Sequence, residues 1–157
     1  MQSTGSAYVL KQAEGEALWF AGARVTVKAP GAADGCSPSV LEQVVPPSYA
    51  TPVHVHRHED ETWYVLEGQV EFQCGGATLT AGPGDFVFAP RGVPHVLINR
   101  SATPARMLII TPPGFGRFVQ AAGEPAAGAV PPAPDPARLA AVAAQHEIDI
   151  VGPPPVP

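Results

Sequence analysis

"HVHRHEDETWYVLEG" (residues 54–68) gathers three of the chain's five histidines and four acidic residues around an apolar run. In an extended strand alternate side chains share a face, so His54 and His56 point the same way with Val55 opposite. Two imidazoles side by side on one inward face are what a metal centre needs. Four residues later, enough for the chain to turn, Glu61 heads the strand "ETWYVLEG" and can bring a carboxylate to the same centre. By alternation His58 would share the face of His54 and His56, but it falls where the chain should be turning. With Glu59 and Asp60 it reads as a solvated loop at the mouth of the fold, near the centre without ligating it.

Outward from this stretch, short apolar or alternating runs recur between Gly/Pro turns from residue 17 to residue 111. "ALWF", "ARVTVKA", "SVLEQVV", "TWYVLEG", "QVEFQC", "ATLTA", "DFVFAP", "HVLIN" and "ARMLIIT" read as strands, rich in Val, Ile, Thr and aromatics. "EGQ" and "CGGA" read as tight hairpin connections, and "AGPGD" as a turn into the next strand. No helical periodicity competes there. The expected class is all-β, an antiparallel sandwich or barrel.

A second stretch, "GDFVFAPRGVPHVLIN" (residues 84–99), places His95 at the start of a strand after a Pro/Gly-shaped turn, a candidate further ligand. Residues 54–68 follow H-x-H-x4-E-x6-G, and residues 84–99 follow G-x5-P-x-G-x2-H-x3-N. Together these resemble the two motifs of the cupin superfamily, in order. The departure is the glycine that usually precedes the first histidine, where this chain has "PPSYATPV". The fifteen residues between the motifs match the compact microbial single-domain cupins. The resemblance implies a double-stranded β-helix, the jelly-roll barrel, holding one divalent metal ion by three histidines and one glutamate. On this chain those are His54, His56, Glu61 and His95. Metal identity stays open among Fe, Mn, Ni, Co, Cu and Zn. Gly68 and Asn99 read as turn and backbone-bonding residues, and His146 as a surface residue.

Composition narrows the function. The net charge of −5 comes with no basic run, so nucleic acid is not an expected partner. No stretch approaches the ~18 apolar residues of a membrane span, and "MQSTGSAYVLKQ" does not read as a signal peptide, so the expected address is the cytoplasm. Cys36 and Cys74 fit no zinc spacing and read as two partly buried thiols outside any disulfide.

Residues 1–111 are read as the barrel domain and 112–157 as a C-terminal tail. Eleven of the twenty prolines fall at or after Pro112. A helix from about Phe115 to Ala122 would set Phe115 and Phe118 on one face, able to cover an edge or mouth of the barrel as a lid or to plug a gap in its outer core. As a lid, it would be dispensable for folding, and truncation after Thr111 would leave a metal-binding barrel. A second helix starts at Asp135 as N-cap with Pro136 in the first turn, and the apolar "IDIV" is expected to dock onto the barrel.

Alternation puts Trp63 and Val65 on the face of Glu61, and Leu97 on that of His95, giving a mostly apolar pocket for a small aromatic or other hydrophobic molecule. Tyr64 and Leu66 lie on the opposite face, which a partner subunit or the N-terminal strands would cover; a homodimer is expected. The tail sequences also resemble those of quercetin-dioxygenase-like cupins. That resemblance implies a dioxygenase acting on an enolic or flavonol-like aromatic, with Glu61 combining ligation and general-base work. A non-oxidative isomerase, cyclase or decarboxylase is the first alternative, and a small-molecule-binding module without catalysis the second.

Overall fold

The structure is a computed structural model and describes residues 6–32 and 35–157. The reading of the N-terminus as a polar, leader-free segment falls partly on residues 1–5, outside the described residues. Eleven strands precede the tail: β1 (Glu16–Phe20), β2 (Ala23–Pro30), β3 (Ser39–Val45), β4 (Tyr49–Ala50), β5 (Val53–His56), β6 (Glu61–Glu67), β7 (Val70–Cys74), β8 (Ala77–Ala81), β9 (Phe86–Ala89), β10 (His95–Asn99) and β11 (Ala105–Thr111). Then come α1 (Pro113–Ala122), β12 (Glu124–Pro125), α2 (Pro136–Gln145) and β13 (Ile148–Gly152).

All strand pairs are antiparallel and form two sheets, in the orders β12-β1-β2-β3-β11-β6-β9 and β13-β5-β10-β7-β8, with β4 pairing β10. This is a jelly roll. Its core follows from alternation: Leu41, Val45, Val65, Met107 and Ile109 point inward from β3, β6 and β11 and are almost wholly buried. Across β3 and β11, Leu41 pairs Ile109 and Gln43 pairs Met107.

Two turns behave differently from one another. "CGGA" closes the β7–β8 hairpin with Cys74 opposite Ala77, and both glycines adopt positive φ, as a two-residue hairpin turn requires. "EGQ" is not a hairpin connection. It carries the chain from β6 in the first sheet to β7 in the second. A tight turn read from Gly alone gives the reversal but not the partner, because Glu67 finds Arg106 of β11 across the ladder instead.

The segment after residue 111 is built into the same body. α1 buries Phe115, Phe118, Val119 and Ala122, and β13 hydrogen-bonds along β5. α2 starts as the sequence implies: the Asp135 carboxylate accepts from Arg138 N–H at 2.9 Å, with Pro136 in the first turn. Arg138 Nη1 donates to Ala122 O at 2.8 Å, tying the end of α1 to the start of α2. The tail thus packs into the same core as the barrel strands.

Cys36 is exposed, against the expected partial burial, because it sits in the turn before β3; Cys74 is half-buried. Among the described residues no helix is long and apolar enough to cross a membrane.

Candidate metal centre

β5 presents His54 and His56, β10 begins at His95, and β6 begins at Glu61. His54 and His95 are direct register partners on neighbouring strands of one sheet. Glu61 comes from the facing sheet, so the centre lies between the sheets at the barrel mouth. Nε2 of His54, His56 and His95 lie 3.5, 3.0 and 3.1 Å from the same oxygen, Oε2 of Glu61. One ligand atom from each of the four residues falls within 4.8 Å of the others, a group that could hold a metal ion.

The hydrogen bonding argues that these atoms want a cation. Nδ1 of His54 lies 2.9 Å from Pro52 O, and Nδ1 of His95 lies 2.9 Å from Val93 O. A carbonyl only accepts, so each Nδ1 carries the hydrogen and each neutral ring turns a lone pair at Nε2 toward Glu61. Buried acceptors then converge on one another. His56 Nε2 is itself buried, and what faces it is the Glu61 oxygen at 3.0 Å. Such a set is stable only with protons or a metal ion between its members.

The electrostatics say where protons sit without one. Burial alone would raise the Glu61 carboxyl, but the charge of His56 and hydrogen bonds with the three histidines outweigh it, holding it well below the usual carboxylate range. For His54, burial prevails and lowers the pKa. For His95, burial also pulls down, but the hydrogen bond and charge of Glu61 with the Val93 contact raise it on balance. Cys74 is the register partner of His95 on β7, yet burial raises its thiol pKa, which keeps it a poor ligand.

The loop between β5 and β6 is less solvated than expected. Asp60 forms a two-pronged pair with Arg91, 3.0 and 2.9 Å, and also accepts from Arg91 N–H at 2.9 Å. That pairing pulls the Asp60 carboxyl down to about 2. Gly92 N–H donates to His56 O at 2.8 Å. The turn before His95 is thus fastened to the turn after His56, which fixes the two halves of the site together. Glu59 Oε1 accepts from Gly114 N–H at 2.8 Å, in the first turn of α1. A Cβ at residue 114 would lie 2.4 Å from that oxygen, so a larger residue there would push the Glu59 carboxylate off the helix start. Sequence reasoning missed Glu59 as the anchor of α1; an acidic residue and a Pro-Gly helix start 55 positions apart give no local signal.

His58 does not join the cluster. Its ring is largely exposed and lies 3.5 Å from Glu147. His58→Ala should leave divalent-metal affinity within about threefold of wild type, measured by competition with a chromophoric chelator. A loss as large as that of His56→Ala would put His58 in the ligand set. Asn99 is wholly buried and bonds backbone: it donates to Pro46 O and Thr103 O and accepts from Ser101.

A cavity of about 40 Å³ opens beside His54 and Glu61. Its walls include Trp63, Leu97 and Ile109 from the barrel, and Phe115, Phe118 and Ile150 from the tail. The Phe115 ring centroid stands 5.3 Å from that of His56, so α1 forms the roof over a ligand. His146 is not purely superficial: its ring lies 5.8 Å from Phe118.

Residues 41–111 match the family described as the cupin domain. The quercetin 2,3-dioxygenase of Bacillus subtilis is 30% identical over 79 residues, 50% of this chain and 23% of that protein. An uncharacterized protein of Methanocaldococcus jannaschii is 27% identical over 81 residues, 52% of this chain and 65% of that one. The chain thus spans less than two thirds of either relative's length. Among solved structures, a predicted oxalate decarboxylase from Thermotoga maritima superposes with a TM-score of 0.60 at 19% identity, over 67% of this chain and 98% of that one. A cupin-superfamily sugar phosphate isomerase from Silicibacter pomeroyi gives a TM-score of 0.51 at 25% identity, over 58% and 59%. The first of these is a likeness of fold. With both motif strands inside the matched residues and an antiparallel jelly roll around them, residues 41–111 are identified as a cupin domain.

Proposed function

We propose that the protein is a metal-dependent enzyme acting on a small enolic or enolisable carbonyl compound, a dioxygenase in its most concrete form. The observation that carries the reading is the convergence of three imidazole lone pairs and a carboxylate on one point beside an apolar cavity. His54, His56, Glu61 and His95 would hold the ion. A bound divalent ion supplies Lewis acidity, which acidifies a neighbouring enol or hydroxyl enough for a carboxylate of low basicity to take its proton. Among the described residues Glu61 is the one carboxylate lining the cavity, and it is the proposed proton acceptor. Trp63, Leu97, Ile109 and the two α1 phenylalanines would exclude water and orient the carbon skeleton.

Size refines the substrate. A drug-sized ligand needs a pocket of roughly 300–1,000 Å³, far above the cavity's 40 Å³. The distant likeness to quercetin 2,3-dioxygenase supports oxygenase chemistry, but a three-ring flavonol would enter only if the roof opened. A phosphorylated sugar is disfavoured, because neither arginine nor lysine lines the cavity. Oxygen uptake by protein loaded with each divalent metal in turn, on a panel of small enols and 1,2- or 1,3-dicarbonyls, tests the reading. Consumption of oxygen in step with substrate is expected. Turnover undiminished without oxygen would make the enzyme a non-oxidative isomerase, cyclase or decarboxylase; metal binding without turnover would leave a binding module.

The proposal includes a homodimer. Tyr64, Phe86 and Phe88 stand exposed on the outer face of β6 and β9, and the N-terminal strands β1 and β2 lie elsewhere in the sheet and do not cover them. β9 is an edge strand, and an apolar edge invites an identical strand to pair with it antiparallel. Light scattering should give a dimer for wild type and a monomer for the double variant Phe86→Ser, Phe88→Ser. A monomeric wild type at working concentration would end this part of the proposal.

A further inference from the structure

The cavity beside the metal centre holds one polar side chain with no evident structural purpose. Gln43, in the middle of β3, is only 4% exposed. It sits in register between Val25 of β2 and Met107 of β11, pointing into the barrel with Leu41 and Val45. Its carboxamide makes no hydrogen bond with any of the described residues, and it lines the cavity that His54 and Glu61 also line. The other buried carboxamide, Asn99, uses both its donor and its acceptor on neighbouring backbone and Ser101. An amide that faces a mostly apolar cavity with no partner in the protein calls for an explanation. Leu or Met would fill the same place among Val25 and Met107 and leave no amide to pair.

We propose that Gln43 is the polar anchor for the bound small molecule and sets its specificity. This rests on the metal-dependent reading above and names the substrate class more closely. The molecule turns one oxygen toward the His54–Glu61 end and a second polar group, able to exchange hydrogen bonds with a carboxamide, toward Gln43. It is small and carries no net charge beyond what the centre balances, since the lining contains no arginine or lysine. Thr51 adds a second contact: its hydroxyl accepts from Leu97 N–H at 3.1 Å and lines the same space, leaving its own hydrogen to donate. A plain ketone would satisfy the centre but strand the Gln43 amide. A site built around a hydrogen-bonding group discriminates strongly against analogues that lack it.

Acetamide and acetone test this, being the same size and shape and differing by an amino group against a methyl. The full-length protein, loaded with zinc, is titrated with each while the Gln43 side-chain amide signals, identified by their loss in Gln43→Leu, are followed by NMR. Acetamide should shift those signals and acetone should not. The preference for acetamide over acetone should be roughly tenfold greater in wild type than in Gln43→Leu. The melting temperature of Gln43→Leu should be unchanged or higher, because an amide with no protein partner is replaced by an apolar side chain of similar volume. An equal preference in the two proteins overturns the proposal; if Gln43→Leu also melts lower, Gln43 is a packing residue. Should the protein take up no zinc, the metal-dependent reading fails separately. The metal-free titration then decides on Gln43: an amide shift with acetamide upholds it, and none overturns it.

Discussion

His56→Ala and His95→Ala should each weaken the binding of a divalent ion by about a hundredfold or more. Four-ligand protein sites bind zinc with roughly 10–16 kcal/mol, so an average ligand contributes several kcal/mol, and each 1.4 kcal/mol is tenfold. Both rings are nearly buried, and both Nε2 atoms lie within 3.1 Å of the Glu61 oxygen at the point of convergence. The loss should also depend on pH in wild type. A metal ion must displace whatever proton the cluster holds. His95, raised by the hydrogen bond and charge of Glu61, competes with the ion for its lone pair, so affinity should fall by about ten- to a hundredfold between pH 7.5 and 5.5. Competition against a chelator at each pH reads this directly; an affinity flat across the range would mean the cluster carries no competing proton.

The metal-free fold should respond to the same groups with mixed signs. Glu61 has a depressed pKa in the folded state, so its contribution to stability is present above the ordinary value of 4.5 and is lost as pH falls through the folded value. His54 is likewise depressed, and its contribution is present above 6.5 and lost as pH falls through its lower folded value. His95 runs the other way. Its contribution is complete below 6.5 and is lost as pH rises through its raised folded pKa. His54 and His95 therefore partly cancel around neutrality, and Glu61 leaves acid destabilisation for the carboxylate range.

The four converging residues were legible because a period of two in a strand is a strong constraint. His54 and His56 have to share a face, and the resemblance to the cupin motifs supplied Glu61 and His95 from other strands. The strands of residues 17–111 were legible for a related reason: alternation and turn residues are local. What escaped was pairing. "EGQ" looks like a hairpin, and nothing near Gly68 announces that β6 pairs with β11 and β9 while β7 belongs to the other sheet. β12 and β13 escaped likewise. "IDIV" alternates weakly, and its place is set by Ile148 lying opposite His56 and by Asp149 meeting Arg57 at 2.7 Å, contacts that span about ninety residues. The unpaired Gln43 reads in the sequence as one polar residue in "SVLEQVV", indistinguishable from its neighbour Glu42, whose partner is Arg106. Only the cavity tells them apart.

Truncation after Thr111 should not yield a folded barrel, contrary to the behaviour of a detachable lid. The removed segment carries Phe115, Phe118, Val119 and Ile148, all at most 5% exposed. At about 1.5–3 kcal/mol for each large buried side chain, these represent roughly 6–12 kcal/mol, comparable with the ~5–15 kcal/mol stability of a whole domain. The loss falls on both sides of the contact. Phe20 packs edge-on against Phe118 at 5.2 Å and against Phe115 at 6.2 Å, and β5, the strand that bears two ligands, would become an unpaired edge. The point variant Phe118→Ala separates the two roles of the roof. It should cost about 3–5 kcal/mol, as large aromatic truncations do, and enlarge the cavity, yet leave metal affinity unchanged because Phe118 packs on Phe20, Phe115 and His146 rather than on a ligand. Urea denaturation gives the first quantity and chelator competition the second. A truncated chain that folds cooperatively and binds metal like wild type would show instead that the barrel closes without its roof, and that α1 is a true lid.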